Sequence, residues 1–195
     1  MSFLDIDDWP GIEVRVEFTE QLPPALLAEG RLLYLVSLHG EIEANNPTSL
    51  AGQELREKFG TIPYSSPLYW WEIVTNSCAK PMYIGQTVAM QLQNRFENHS
   101  KVLQLLAGAV NDPSARVFFR LCSRLDIRPS TGGSWKALEW VAPKQASQVV
   151  TDVESRLIYE HQPELNVVYK KSNPTEKTGK PLSIVTLVLD AHSCF

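Results

Sequence analysis

The chain has 195 residues, 44% of them hydrophobic and 21% charged, with a formal net charge of −4. That balance is ordinary for a globular protein and excludes collagen-like, coiled-coil and fully disordered classes. No apolar run approaches the ~18 residues that a membrane span needs, and Met1-Ser2-Phe3-Leu4-Asp5 lacks the basic start of a signal peptide. The sequence therefore predicts a soluble, cytoplasmic protein with no membrane partner.

Charge is unevenly spread. Residues 1–66 hold 4 Lys+Arg against 11 Asp+Glu, a net of −7, and residues 67–195 hold 14 against 11, a net of +3. An acidic front and a mildly basic body can still bind phosphate locally, because steering follows the distribution of charge over a surface and not its sum. Cys78, Cys122 and Cys194 have no CxxC spacing, which fits reduced thiols and supplies neither a disulfide framework nor a zinc site.

In chain order, Ile12, Val14, Val16 and Phe18 alternate with Glu13, Arg15 and Glu17, the pattern of a half-buried strand. A short helix after Pro23-Pro24, a strand over 32–38 and a helix over 49–59 follow. The Pro/Ser/Thr-rich segment 60–67 reads as a linker, so the expected domains are an acidic extension (1–66), a body (67–170) and a C-terminal tail with a strand (171–195). In the body, 68–74 and 82–84 form a hairpin. Val88, Leu92, Phe96, Leu103 and Leu106 then fall in one sector of a helix at ~100° per residue. Next comes a strand on which Val117, Phe119, Leu121, Leu125 and Ile127 share one parity and Arg116, Arg120, Arg124 and Arg128 the other, predicting one buried and one arginine-bearing face. A basic loop with Gly132 and Gly133 leads to Lys136. A last helix over about 146–160 is closed by Pro163, and 182–189 reads as a final strand.

Arg95 and His99 are four apart, hence stacked on one helix face, with His99 in the middle of the apolar sector. Glu154 falls between Leu157 and Ile158 on the last helix, also facing inward. Inward-facing groups of this kind cost several kcal/mol to desolvate unless they meet a partner, a metal or a polar cleft. Thr151 and Glu154 also match a helix-capping box, but Ala146, Val149, Val150 and Val153 extend the helical pattern upstream and place Thr151 inside the helix.

Five elements in order carry a resemblance: Pro67-Leu68-Tyr69; Met82-Tyr83-Ile84-Gly85-Gln86-Thr87; Arg95 with His99; Glu154 followed by Leu157-Ile158; and Pro163-Glu164-Leu165-Asn166. Over residues 67 to about 168 the chain resembles the GIY-YIG nuclease superfamily. The first motif reads Pro-Leu-Tyr in place of Gly-Ile-Tyr, so a rigid residue replaces a flexible one. Tyr34 is a rival for the first tyrosine, but Tyr69 leaves the hairpin-sized gap and Tyr34 does not.

The resemblance implies an α/β (α+β) fold, a small mixed or antiparallel sheet flanked by helices, here preceded by an α/β extension. It implies a DNA endonuclease that hydrolyses phosphodiesters with one Mg²⁺ or Mn²⁺. Glu154 would be the metal's protein ligand. Arg95 would grip the scissile phosphate, and Tyr69 would act as general base or orient the attacking water, with Tyr83 and His99 in its network. Asn166 would fix the site from the turn after the last helix. Lys80, Arg116, Arg120, Arg124, Arg128 and Lys136 are the expected DNA contacts. Only 29 residues follow Asn166, so recognition would come from the extension, from loops or from a second copy in a homodimer, a layout most similar to restriction-type members. The alternative is a binding or regulatory module that keeps the fold without catalysis.

Overall fold

A computed structural model describes residues 3–18, 67–76, 78–86, 101, 104–105, 114–171 and 174–189. The named elements are β1 (Ile12–Phe18), β2 (Leu68–Val74), β3 (Ala79–Gln86), β4 (Arg116–Pro129), β5 (Lys136–Ala137), a 3-10 turn at Leu138–Trp140, α1 (Pro143–His161) and β6 (Leu182–Leu189). They form a mixed α/β structure, a six-stranded sheet in the order β3-β2-β4-β1-β6 with β5 paired to β4. Neighbours are antiparallel except β1 and β6, which run parallel.

Strand β1 realises its alternation residue by residue: Ile12, Val14, Val16 and Phe18 are at most 2% exposed. It comes from the acidic front of the chain yet lies between β4 and β6, so the boundary expected near residue 66 does not separate two sheets. The short helix expected after Pro23-Pro24 and the elements expected over 32–38 and 49–59 lie outside the described residues. Of the helix expected over 88–109, Lys101, Gln104 and Leu105 are described as helical, with Leu105 fully buried.

One face of the sheet carries α1. Val149, Val150, Val153, Leu157 and Ile158 pack into one core with Val14, Val16, Phe18, Leu68, Trp70, Ile84, Leu125 and Ile127. The helix begins earlier than its apolar pattern, with Pro143 in the first turn, where the missing N–H costs nothing. It ends on Gln162 in a left-handed conformation at φ 50°. Thr151 is accordingly interior, and its Oγ1 donates to the Ser147 carbonyl at 3.0 Å, which removes the capping-box role. The buried carboxylate of Asp152 accepts from the Lys177 and Thr178 amides and, at 2.7 Å, from the Thr178 hydroxyl. Those bonds tie the lead-in to β6 onto the helix.

Strand β4 departs from the expected alternation. Glu17 pairs with Arg124 while Phe18 pairs with Cys122, a register shift that leaves Ser123 as the extra residue of a β-bulge. Because side chains alternate with period two, one extra residue exchanges the faces. Trp70 pairs with Arg120 and Phe18 with Cys122, so Arg116, Phe118, Arg120 and Cys122 share the helix-bearing face. Beyond the bulge Leu125 and Ile127 hold that face, and Arg124 and Arg128 turn to the opposite one. The single arginine row expected over 116–128 is therefore corrected to two pairs on two faces. Arg120 is only 3% exposed, and its Nε donates to Glu72 at 2.9 Å.

Among the described residues no helix is long and apolar enough to cross a membrane.

Candidate active site

The hairpin β2–β3 places the two motif tyrosines. Tyr69 stands opposite Gly85, and Tyr83 opposite Trp71. Cross-strand diagonal neighbours are within reach of aromatic rings, and the two rings stack with centroids 6.0 Å apart and planes 29° apart. Gly85 makes this possible: a Cβ there would lie 2.8 Å from Tyr83 Cε1 and closer still to the hydroxyl end of Tyr69. A glycine in a strand interior often marks such a close approach. Tyr69 is fully buried and Tyr83 half-buried, so of the pair it is Tyr83 that solvent reaches.

Asn166 locks this strand from the other side. Its Oδ1 accepts the Ile84 N–H and its Nδ2 donates to the Ile84 carbonyl, both at 2.9 Å and both buried. Leu165 N–H donates to the Met82 carbonyl at 2.8 Å. The turn after α1 thus adds itself to the edge of β3, and Asn166 holds both the N–H and the C=O of Ile84, between Tyr83 and Gly85.

Glu154 is half-buried on α1. One turn before it, the Thr151 hydroxyl lies 3.3 Å from Gln86 Oε1, at the end of β3 and one residue from Gly85. Glu154 therefore lies toward the end of β3 on the sheet face that carries α1. Tyr69, Tyr83 and Gly85 lie on the opposite face, since they alternate with Leu68, Trp70 and Ile84, which pack in one core with the helix. Among the described residues no three His, Cys, Asp or Glu side chains gather to hold a metal ion. Glu154 is the carboxylate that α1 would offer to a hard cation such as Mg²⁺ or Mn²⁺, with water completing the coordination. Arg95, His99 and the rival Tyr34 lie outside the described residues.

The expected DNA contacts do not form one surface. Lys80 is exposed and paired with Glu164. Arg116 is exposed and donates to the neighbouring Ala115 carbonyl at 2.9 Å. Arg124 is 54% exposed and lies 2.7 Å from the buried carboxylate of Asp126. Arg128 pairs with Glu13 at 2.7 Å, a bond between the body and the acidic front. Lys136 is exposed on β5. The loop before it turns at Gly132 and Gly133, with φ of 95° and 123°, which only glycine adopts without strain.

Sequence reasoning missed two further groups. Trp135 lies under the guanidinium groups of Arg15 and Arg128, 4.6 and 4.5 Å from its ring centroid. Nothing in the local pattern links residues so far apart in the chain. His161, at the end of α1, meets Trp70 edge-on with centroids 5.0 Å apart, and burial there lowers its pKa below the ordinary histidine value. Cys122 is buried and its thiol is pushed up to about 12 by desolvation, so it is an inert core residue, as its lack of a metal-spaced partner suggests.

Comparison of the chain with protein-family models, with curated proteins and with solved structures gives no match.

Proposed function

We propose that the protein is a metal-dependent DNA endonuclease of the GIY-YIG type, in which residues on the β2–β3 hairpin and on α1 form the hydrolytic site. The observation that carries this reading is the tyrosine pair: Tyr69 of β2 and Tyr83 of β3 stacked over Gly85, with the N–H and C=O of the intervening Ile84 both held by Asn166. A motif tyrosine in an ordinary core strand needs neither a glycine under its ring nor a buried amide on the next peptide. In this reading they hold one hydroxyl to a fraction of an ångström, the tolerance that proton transfer demands.

Burial divides the roles. Tyr83 reaches solvent and is the group that would hold an attacking water and move its proton. Fully buried Tyr69 is the positioning residue that fixes the Tyr83 ring. Glu154 would hold the cation, and when bound the cation would neutralise charge on the phosphate. Arg95, by the resemblance, would pair with the same phosphate. A non-catalytic binding or regulatory module is the second reading. The full burial of Tyr69, the place of the tyrosine pair on the sheet face opposite α1, and the proline at position 67 favour it.

Incubating supercoiled DNA with the full chain in Mg²⁺, Mn²⁺ or EDTA separates the two. The proposal expects cleavage with either metal, none in EDTA, and none with Glu154→Ala at unchanged thermal stability. Equal cleavage by the Glu154→Ala protein would remove Glu154 from the site. Binding without cleavage in any metal would establish the second reading.

A further inference from the structure

His161 and Asn166, five residues apart, fasten the end of α1 to the β2–β3 hairpin at two points. His161, the last residue of the helix, is half-buried and meets the indole of Trp70 edge-on, with ring centroids 5.0 Å apart. Trp70 stands opposite Ile84 across the hairpin, and Ile84 is the residue whose N–H and C=O Asn166 holds. Both polar groups of Ile84 therefore point away from β2, which makes Trp70–Ile84 a non-hydrogen-bonded pair, the kind whose side chains stand closer. The contacts close a ring: His161 to Trp70, Trp70 to Ile84, Ile84 to Asn166, and Asn166 back along the chain to His161.

The connector between those points is short and stiff. Gln162 takes the left-handed conformation at φ 50°, and its Nε2 donates to the Lys170 carbonyl at 3.1 Å. Pro163 follows, buried and with its φ fixed by the ring. Such a connector has few torsions in which to absorb a displacement of the His161 side chain. Of the four residues in the ring, His161 is the one that gains or loses a proton near neutrality. Burial lowers its pKa, against the pull of Glu160 beside it on α1. Around Trp70, β1 presents Phe18 and β3 presents Ile84. The charged groups described on the same sheet face near Trp70, Glu72 of β2 and Arg120 of β4, are paired with each other at 2.9 Å.

We propose that the His161–Trp70 contact is a proton-operated latch on the hairpin: with the imidazole neutral, the end of α1 and the turn after it hold β3, and protonation releases both. The imidazolium leaves the indole for water, the turn at 162–166 loosens, and Asn166 lets go of Ile84. Tyr83 and Gly85 flank Ile84 on β3, so the tyrosine stack is held near neutrality and loosened in acid. The latch is a property of the fold and does not depend on the nuclease reading.

Hydrogen exchange of the full chain, followed by NMR, tests this without an activity assay. The Ile84 N–H reports on the latch directly, because its bond is to Asn166, and the Leu165 N–H, bonded to the Met82 carbonyl, is a second reporter. Between pH 7.5 and 5.0 their protection factors should fall by up to ~30-fold, the limit for an imidazole that titrates near its ordinary pKa of ~6.5 once freed. A local opening exposes little surface, so at pH 5.0 their exchange should be indifferent to low urea. Val14, in a strand bonded on both edges, should instead exchange in step with global unfolding. His161→Phe keeps a ring on Trp70 but carries no proton, and it should abolish the pH dependence at Ile84. Constant protection of Ile84 over this range in the wild type would overturn the proposal, since protonation would then leave the turn in place. So would exchange at Ile84 that follows urea as steeply as at Val14, because unfolding of the whole sheet would be its route. Both comparisons need the wild type alone. A pH dependence that survives in His161→Phe would belong to another group and would overturn the proposal as well.

Discussion

Gly85 is the residue on which the motif geometry turns. Its α-hydrogen leaves the space that the two tyrosine rings occupy, and a methyl group there meets the rings themselves. We expect Gly85→Ala to disturb the stack, costing about 1–3 kcal/mol as overpacking does and lowering DNA cleavage beyond what the stability loss explains. Melting and turnover measured on the same protein check this. The hydroxyls are separable by Phe substitution, which keeps the rings. Tyr83→Phe should lower turnover by ~10²-fold or more, the scale of a general acid–base group, and Tyr69→Phe by clearly less. The reverse order would exchange their roles. His161 sets a pH dependence. Its folded pKa lies below the ordinary value, so the unfolded chain takes up the proton first. Its stability contribution is complete above about pH 6.5 and declines as pH falls through that value. Melting temperatures of the wild type and His161→Gln, compared between pH 7.5 and 5, should converge toward the acid end.

At the scale of elements, the bulge at Ser123 decides what each arginine can do. Before it, Arg120 points into the structure and completes an ion pair with Glu72 whose side chains are 4% and 5% exposed. Removing one partner of such a pair strands a buried charge, at a cost of about 3–5 kcal/mol. Arg120→Ala should thus lower the melting temperature by roughly 10 °C, while Arg120→Met with Glu72→Leu should recover most of that loss. After the bulge, Arg124 is 54% exposed but its Nε lies 2.7 Å from the buried carboxylate of Asp126, so Arg124→Ala also strands a buried charge and should lower the melting temperature. If Arg124 touches a phosphate in the DNA complex, that substitution should reduce the salt slope by about 0.9. The salt slope, measured at a temperature where both variants are folded, separates a structural arginine from a phosphate contact.

For the whole molecule, β1 is the element that makes the acidic front and the basic body one sheet. It is hydrogen-bonded on both edges, and its four inward side chains are at most 2% exposed. At about 1.5–3 kcal/mol for each buried apolar side chain, their sum rivals the entire net stability of a typical domain, ~5–15 kcal/mol. A truncation to residues 67–195 should therefore lose its cooperative melting transition. A truncated chain that melts as sharply as the full one would show that the body folds alone. The Glu13–Arg128 bond and the Arg15–Trp135–Arg128 stack cross the same seam. Front-segment charge is thus spent in part on body arginines, which lowers the number free for a phosphate track.

Local periodicity by itself determined β1, the β2–β3 hairpin, α1 and β6, because each has one apolar face repeated at the period of its own backbone. The resemblance singled out Tyr69, Tyr83, Glu154 and Asn166 as residues worth placing, since the order of motifs along the chain is a one-dimensional property. Tertiary structure alone decided the rest. Parity counting fails across Ser123, because a bulge is recorded only in how β4 pairs with β1. The place of β1 between β4 and β6 depends on pairings far apart in sequence. The buried Arg120–Glu72 pair, the grip of Asn166 on Ile84 and the Trp135 stack each join residues from separate segments, and no window of sequence holds both ends of any of them.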